Sequence, residues 1–440
     1  MHYKQQFCNL LSRTIAVRAA LAMAIVVALA AVPDVAQNAV PPTAREAVAP
    51  TGTFRVIHEF TGGQDGANPE AGLTIDRGGN LYGPGWGGGQ NNCGNIYRLS
   101  RRDSNWIFSV LYSFEGGNDG VLPEGGLTIG PSGILYGTTA LGGGQGCTDY
   151  GCGTVFAVRP APNATANIIG GWTDRVLYGF TGGSDGSHPA SDLVFDQAGN
   201  LYGAMSNGGA YGKGMVYELV PGLGGWAYRV VYSFTGAGDG AEPIDNIMFD
   251  QSGNLYGATY TGGGAGFGTV FELTPSGSGW TENTIYSFRG QDDSGDPLGL
   301  VMDQLGNLYG VTIGGGCLSG NCSYGVGTGG VFMLSRSAGG WTYSRIYDYP
   351  GYFNDTSLSI DAGGNLYGTL ARGGDPCYCG EIYKLSPGSA GWTYTDLHDF
   401  NGSDGSWPLG RIVIDANSNI YGVTESGGAY GGGVVWEITP

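Results

Sequence analysis

Two kinds of carboxylate in this sequence have the placement that an active site or a metal site would need. Glu242 and Asp296 occupy the same position in successive repeats, and glycoside hydrolysis uses such a carboxyl pair as acid and nucleophile. Aspartates in a recurring Gly-Gly-x-Asp-Gly motif or a close variant offer oxygen ligands for calcium. The aspartates of this motif are Asp65, Asp119, Asp185, Asp239 and Asp404. These residues raise two hypotheses, a hydrolase and a calcium protein.

Repetition favours a structural role for most of these groups. An active site is one asymmetric constellation, so a residue found in every repeat is better explained as scaffold. We therefore interpret the Gly-Gly-x-Asp-Gly aspartates as turn caps rather than calcium ligands. The same interpretation covers a second series, Asp76, Asp196, Asp250, Asp303, Asp361 and Asp415. A tryptophan series predicts packing at the outer rim rather than sugar stacking: Trp106, Trp172, Trp226, Trp280, Trp341 and Trp392.

Cysteines recur at matched positions. Cys147 and Cys152 have the same spacing and phase as Cys317 and Cys322, which predicts two local disulfides in an oxidising compartment. Zinc is the alternative, disfavoured because the pairs fall in different repeats and no histidine accompanies them. One residue separates Cys377 from Cys379, so we expect strain in a bridge there and make no prediction about how either cysteine pairs. Cys93 aligns with the second cysteine of each pair, and we make no pairing prediction for it.

The elements that carry these residues follow a repeat of 53 to 66 residues, marked by Gly-Asn-Leu-Tyr-Gly or a close variant. Its tyrosines are Tyr82, Tyr136, Tyr202, Tyr256, Tyr309, Tyr367 and Tyr421. Each repeat contains four short strands, A to D, separated by glycine-rich turns. Such a unit predicts one blade of an all-β, seven-bladed β-propeller with four-stranded antiparallel blades.

The phase of the repeat predicts how the ring closes. The first strand-like segment, residues 54–60, has the D pattern, whereas the last, residues 434–438, has the C pattern. The N-terminal strand can therefore complete the last blade and remove an exposed sheet edge. An open β-solenoid, the alternative, has no need of this offset.

The repeat units Asp-x-x-Gly-Asn-Leu-Tyr-Gly, Gly-Thr-Val-Phe-Glu-Leu-Thr-Pro and Trp-Thr-x-x-x-Leu-Tyr-Ser-Phe resemble the Gloeo/Verruco (GloVer) tandem repeat of exported bacterial proteins. The resemblance covers about residues 53–440. It implies an extracytoplasmic repeat protein and transfers no biochemical activity. Many members resemble one another in the repeats but carry different C-terminal surface anchors.

The positions that break the repeat are the candidate binding residues. In a propeller, the D-to-A links and the B-to-C loops emerge on one face, which we call the mouth. Residues before the link prolines and at the exits of strands B vary in chemistry there. The predicted ligand-binding residues are Trp86, His188, Asn207, Glu242, Tyr260, Asp296, Arg372, Trp407 and Glu425. Drift at exposed positions is the alternative explanation.

The N-terminus predicts export. Residues 1–32 combine a positive start with an apolar run and predict a signal peptide, or alternatively an uncleaved anchor. Residues 33–52 predict a Pro/Ala-rich linker, and residues 53–440 the propeller. The net charge of −18 disfavours nucleic acid and anionic membranes as partners. We expect a monomer, secreted, periplasmic or on the cell surface, with no transmembrane domain after cleavage.

These observations favour a binding or scaffold module for an extracellular ligand, either a carbohydrate or a protein. No cofactor and no catalytic residue is predicted, because no Gly-x-Ser-x-Gly, His-Glu-x-x-His or phosphate-loop motif occurs. The alternative is a hydrolase acting on glycans or lactones at the mouth.

Overall fold

Seven antiparallel sheets form a seven-bladed β-propeller, which confirms the predicted fold class. The computed structural model describes residues 52–144, 146–147, 151–161, 171–277, 279–290, 293–314, 329–337, 339–349, 357–374 and 377–440. The predicted signal peptide and nearly all of the predicted linker lie outside these residues. In six of the blades the strands follow chain order from the channel outward, and in the seventh the N-terminal strand is the outermost.

Each blade contains the same series of strands, although the innermost strand differs in length and is divided into two in blade II. Blade I comprises β2 (Thr74–Ile75), β3 (Leu81–Gly85), β4 (Asn95–Arg102) and β5 (Asn105–Ser113). Blade II comprises β6 (Val121–Pro123), β7 (Thr128–Ile129), β8 (Leu135–Leu141), β9 (Thr154–Pro160) and β10 (Trp172–Gly179), with a 3-10 turn at Pro131–Gly133. Blade III comprises β11 (Val194–Phe195), β12 (Leu201–Met205), β13 (Met215–Gly222) and β14 (Gly225–Ser233). Blade IV comprises β15 (Ala241–Phe249), β16 (Leu255–Thr261), β17 (Thr269–Ser276) and β18 (Gly279–Ser287).

The last three blades complete the ring. Blade V comprises β19 (Gly295–Met302), β20 (Leu308–Gly314), β21 (Gly330–Ser337) and β22 (Gly340–Asp348). Blade VI comprises β23 (Ser359–Ile360), β24 (Leu366–Leu370), β25 (Glu381–Gly388) and β26 (Gly391–Asp399). Blade VII comprises β27 (Ser406–Ile414), β28 (Ile420–Ser426), β29 (Val434–Thr439) and the N-terminal strand β1 (Thr53–Glu59).

In six of the seven blades an aspartate precedes the Gly-Asn-Leu-Tyr-Gly motif and caps the A-to-B turn, whereas blade II has Gly130 at this position. In blade V, Asp303 accepts backbone N–H bonds from Leu305 (2.8 Å) and Asn307 (2.9 Å), and a side-chain bond from Tyr309 (3.0 Å). Burial alone would raise the pKa of Asp303, but the bonds from Asn307 and Tyr309 outweigh it and leave the pKa below its usual value. The prediction that this aspartate series caps turns is confirmed.

The last glycine of the motif makes room for an aromatic ring on strand C. Gly257 lies opposite Phe271 in the ladder, and a Cβ on Gly257 would come within 2.6 Å of Phe271 Cζ. Equivalent pairs are Gly83 and Tyr97, Gly137 and Phe156, Gly203 and Tyr217, Gly310 and Phe332, Gly368 and Tyr383, and Gly422 and Trp436. All seven rings are buried, so the motif combines a turn cap with a socket for the core.

β1 closes the ring as predicted, pairing antiparallel with β29 from Thr53↔Thr439 to Glu59↔Val434. Glu437 of β29 lies opposite Arg55 of β1 in this pairing, and its side chain is fully buried. Its carboxylate accepts hydrogen bonds from Arg55 Nε at 2.6 Å and from Trp106 Nε1, in blade I, at 3.1 Å. The termini are thus joined to each other and to the next blade.

Aromatic rings pack neighbouring blades together at the outer rim. Trp280 of blade IV meets Tyr202 of blade III edge to face, with ring centroids 6.0 Å apart. His58 stacks on Phe108 at 3.8 Å, and His398 stacks on Phe54 at 3.6 Å. The tryptophan series therefore serves packing, as predicted, and these two histidines do the same. Burial lowers the histidine pKa values even though Asp65 and Asp404 oppose that shift.

Asp174 interrupts this packing. It occupies the position of the stacking ring on β10, where β14, β22 and β26 carry Tyr228, Tyr343 and Tyr394. Burial and then the neighbouring Asp119 raise the pKa of Asp174 from 3.8 to about 7. Folding favours the protonated form of Asp174. The stability that this form contributes is therefore fully present below about pH 4 and is lost as the pH rises through about 7.

We therefore expect Asp174→Tyr to stabilise the protein at pH 8 by about 1–3 kcal/mol, because one pKa unit corresponds to about 1.4 kcal/mol and partial exposure screens the effect. The gain should shrink at pH 4. Urea unfolding at both pH values measures it. Asp174→Asn is the matched control, which removes the charge without adding the ring. Equal gains at both pH values would show that the carboxylate charge is not the cause.

Candidate functional site

The residues before the link prolines share one strained backbone conformation. All six have a positive φ between 51° and 58° although none is glycine. They are Asn68, Leu122, His188, Glu242, Asp296 and Trp407. The left-handed region is costly for such residues, roughly 1–3 kcal/mol each, so the surrounding structure must enforce it.

A hydrogen bond to the preceding blade enforces this conformation. The N–H of Glu242 donates to the carbonyl of Lys213 at 2.8 Å, and that of Trp407 to Cys379 at 2.7 Å. Equivalent bonds join Asn68 to Gly432, Leu122 to Cys93, His188 to Cys152 and Asp296 to Phe267. We call these six link positions the latch. Each latch position fixes the direction of its side chain, and the type of side chain differs from blade to blade.

The structure brings some of the predicted binding residues together. The phenol of Tyr260 has a raised pKa, first through burial and then through the charges of Asp296 and Glu242. At the junction of blades VII and I, Asn68 Nδ2 donates to the carbonyl of Glu425 at 3.1 Å. The exits of strands B and the latch residues therefore meet, as the mouth hypothesis requires.

The other predicted residues are spread around the mouth. His188, Asn207 and Glu242 are exposed, whereas Arg372 and Trp407 are half-buried. Within the described ranges, no side-chain hydrogen bond or ion pair links His188, Arg372 or Trp407 to another predicted binding residue. Trp86 differs, because it packs against a buried cluster that includes Leu122 and Leu141. Part of its role is structural.

Sequence reasoning missed the central channel. A cavity of about 370 Å³ lies on the axis, and every blade contributes to its wall. Its lining consists of Glu70, Ala71, Glu124, Gly126, Ala190, Asp192, Asp245, Leu298, Ile313, Ser357, Leu409, Gly410 and Arg411. Most of these residues lie one to three positions after the link proline. Variation at those positions was the signal that could have revealed them.

An ion pair crosses this channel. Arg411 of blade VII contacts Asp192 of blade III, with 3.1 Å between Nη2 and Oδ2. The second oxygen of Asp192 accepts the N–H of Gly126 at 2.7 Å, which holds the carboxylate against blade II. Chain-distant blades are thereby tied across the axis.

Unpaired carboxylates stand nearer the mouth. Burial, followed by the charges of Glu425 and Glu124, raises the pKa of Glu70 well above its usual value. Burial also raises the pKa of Glu124 and of Glu425. Carboxylates kept in such an unfavourable environment are typical of functional sites.

The Gly-Gly-x-Asp-Gly aspartates are turn caps, as predicted. Asp239 accepts the N–H of Thr235 at 2.8 Å and the hydroxyl of Tyr232 at 3.0 Å. Asp185 makes the same contacts with Thr181 and Tyr178. In the part of the chain that the structure describes, no group of three or more histidine, cysteine or acidic side chains is placed to hold a metal ion.

A disulfide joins Cys147 to Cys152, whose Cα atoms lie 5.3 Å apart. The other predicted pair, Cys317 and Cys322, lies outside the described residues. The structure also joins Cys377 to Cys379, a pairing that the short spacing did not predict. The intervening Tyr378 has a φ of 57°, and this left-handed turn brings the two Cα atoms to 5.2 Å.

Comparison with known proteins agrees with this architecture. The profile of the Gloeobacter/Verrucomicrobia repeat matches residues 46–169, 145–323 and 316–440. The chain therefore belongs to the Gloeobacter/Verrucomicrobia repeat family. No curated protein matches it. No helix among the described residues is long and apolar enough to cross a membrane.

Three solved structures are similar to the chain at low identity, and one of them has a TM-score above 0.5. The extracellular domain assigned to a hybrid two component system of B. thetaiotaomicron has 12% identity and a TM-score of 0.51, covering 88% of this chain and 42% of that one. PorZ, a surface component of the type-IX secretion system of Porphyromonas gingivalis, has 15% identity and a TM-score of 0.49, covering 84% and 46%. A protein from Thermus thermophilus assigned as an oxidoreductase (glucose dehydrogenase) has 14% identity and a TM-score of 0.39, covering 88% and 99%. These likenesses concern the fold alone.

Proposed function

We propose that this protein is an exported binding module whose ligand, a carbohydrate or a protein surface, binds at the mouth of the propeller. The observation that carries the proposal is the latch. Six positions share one strained backbone conformation and one hydrogen bond, yet present six different side chains. A scaffold that fixes the direction of each side chain while the type of side chain varies suits recognition of one particular ligand. The reason is that pre-organised side chains lose little entropy on binding.

The chemistry of the mouth fits a polar ligand with flat apolar faces. Trp407 and Tyr260 offer aromatic surfaces, and Arg372, Glu242 and Asp296 offer charged hydrogen-bonding groups around them. Aromatic residues and arginine dominate the energetics of many binding surfaces. Glycans and protein surfaces both combine such features, and a screen of the two classes identifies which one binds.

Trp407→Ala and Arg372→Ala should each weaken the ligand found in a glycan and peptide screen by about 1–3 kcal/mol where the side chain is a central anchor. Folding should hardly change, because the backbone makes the latch bond. Trp280→Ala is the matched control. It removes the contact with Tyr202 and should lower the free energy of unfolding by about 1–3 kcal/mol while binding is spared.

The opposite pattern, with mouth variants unfolding the protein and Trp280→Ala abolishing binding, would assign the functional surface to the outer rim. Turnover measured in the same screen addresses the hydrolase alternative, for which the charges of Glu242 and Asp296 near Tyr260 are the relevant observation. If the protein forms product and Glu242→Gln abolishes that product formation, the protein is an enzyme rather than a binding module.

A further inference from the structure

The residues that line the central channel form two layers below the mouth. Glu70, Glu124 and Leu298 each follow a link proline directly, whereas Asp192 and Arg411 come two residues further along their strands. Because strand A runs from the mouth into the channel, the ion pair between Arg411 and Asp192 forms a floor below the upper lining. Ile313, at the exit of strand B in blade V, belongs to the upper wall. The upper lining therefore lies between this ion pair and the mouth.

One side of the upper lining is acidic and lacks bonding partners. Glu70 of blade I and Glu124 of blade II make no hydrogen bond or ion pair with any described residue. Both residues are half-buried and line the channel. Asp245, further round, differs because its carboxylate accepts the N–H of Gly299 at 3.0 Å. Two carboxylates of the channel lining are thus available to a ligand, and the charge of a third, Glu425 at the exit of strand B in blade VII, acts on Glu70 as well.

The facing side of the upper lining is aliphatic. Leu298 and Ile313 come from blade V, which in a ring of seven blades lies across the axis from the junction of blades I and II. Leu409 extends the apolar surface on blade VII. A ligand that touches both sides needs a positive group and an apolar group a few ångströms apart.

We propose that the channel binds a primary ammonium group, with Glu70 and Glu124 holding the nitrogen and Leu298 and Ile313 contacting an attached aliphatic chain. This inference rests on the proposed function and names the ligand group that enters below the mouth. A divalent metal fits less well, since calcium requires six to eight oxygen ligands and no cluster of three ligating side chains is present in the described residues. A lysine side chain or an alkylamine has the required chemistry.

Calorimetric titration of the exported protein with n-hexylammonium chloride tests the proposal. We expect one saturable site with a Kd below about 1 mM, and about fourfold tighter binding for each CH₂ added from ethyl- to hexylammonium. n-Hexanol and hexanoate should bind at least tenfold more weakly. Binding should weaken as the pH is lowered through the carboxyl pKa values, and protons should be released there, because the ammonium ion favours the ionised carboxylates.

Glu70→Gln and Glu124→Gln should each weaken hexylammonium at least tenfold, whereas the control Glu115→Gln, at an exposed site just after blade I, should stay within twofold. Should a channel variant fail to fold, proton release and the hexanol comparison still decide the matter in the unmodified protein. Hexanol binding as tightly as hexylammonium, calcium binding more tightly, or unchanged affinity in both channel variants would overturn the inference.

Trp407→Ala separates the ammonium site from the proposed binding function of the mouth. If it abolishes binding of the screened ligand while hexylammonium binds nowhere, only the ammonium site is wrong.

Discussion

Deletion of residues 53–60 should destabilise the protein by more than about 5 kcal/mol or leave it aggregated. The deletion removes β1, exposes the edge of β29 and takes away the Arg55 partner of the fully buried Glu437. It also removes Phe60, which is buried against Tyr97 with ring centroids 5.1 Å apart. A lost core ring costs about 3–5 kcal/mol, and the lost strand pairing and the lost Arg55 contact add to it, although Glu437 keeps Arg101 at 3.7 Å. Thermal unfolding and size-exclusion chromatography measure the result.

Deletion of residues 33–50 is the control for this experiment, because it shortens the predicted linker and leaves β1 in place. It should leave the midpoint of thermal unfolding unchanged. An unaltered midpoint after removal of residues 53–60 would contradict closure of the ring by the N-terminal strand.

Gly257→Val should lower the free energy of unfolding by about 3 kcal/mol or more. The glycine lies in the middle of β16, and its missing side chain is the space that Phe271 fills, with a virtual Cβ 2.6 Å from Cζ of that ring. Cγ2 of Ile247 lies 3.0 Å from the same virtual Cβ, so a second side chain also occupies the space that valine would need. Overpacking of a closed core usually costs about 1–3 kcal/mol, and two rigid neighbours put this site at the upper end. Urea unfolding provides the measurement.

A double-mutant cycle with Phe271→Ala isolates the cause. Both single variants should be destabilised, but the double variant should be less destabilised than the sum of the two, since removing the ring opens the space that valine needs. Strict additivity would mean that Gly257 serves the backbone rather than the socket.

The repeat explains why so much of the fold could be predicted from the residues. Tyr256 and the strand-C ring, Phe271 here, recur in each blade, and the capping aspartate, Asp250 here, recurs in six of the seven, so a role read in one repeat holds in the others. Closure was also predictable, because the D pattern of β1 and the C pattern of β29 are local properties of each segment.

The site was less predictable because its parts meet only after the ring has formed. Arg411 and Asp192 lie in blades VII and III, and nothing in either local segment predicts their contact across the axis. The latch residues could be found because a proline marks each of them, but their left-handed backbone was not apparent from their side chains. The bridge from Cys377 to Cys379 likewise depends on the conformation of Tyr378.

The central claim is that one mouth of a closed and otherwise regular ring is the binding surface. Hydroxyl-radical footprinting of the exported protein, with and without the tightest ligand from the glycan and peptide screen, tests it most directly. We predict that the ligand protects Trp407 and Tyr260 from oxidation and leaves Trp280 and Trp341 at the rim unchanged. Protection of Trp280 or Trp341 with no change at Trp407 and Tyr260 would contradict the account.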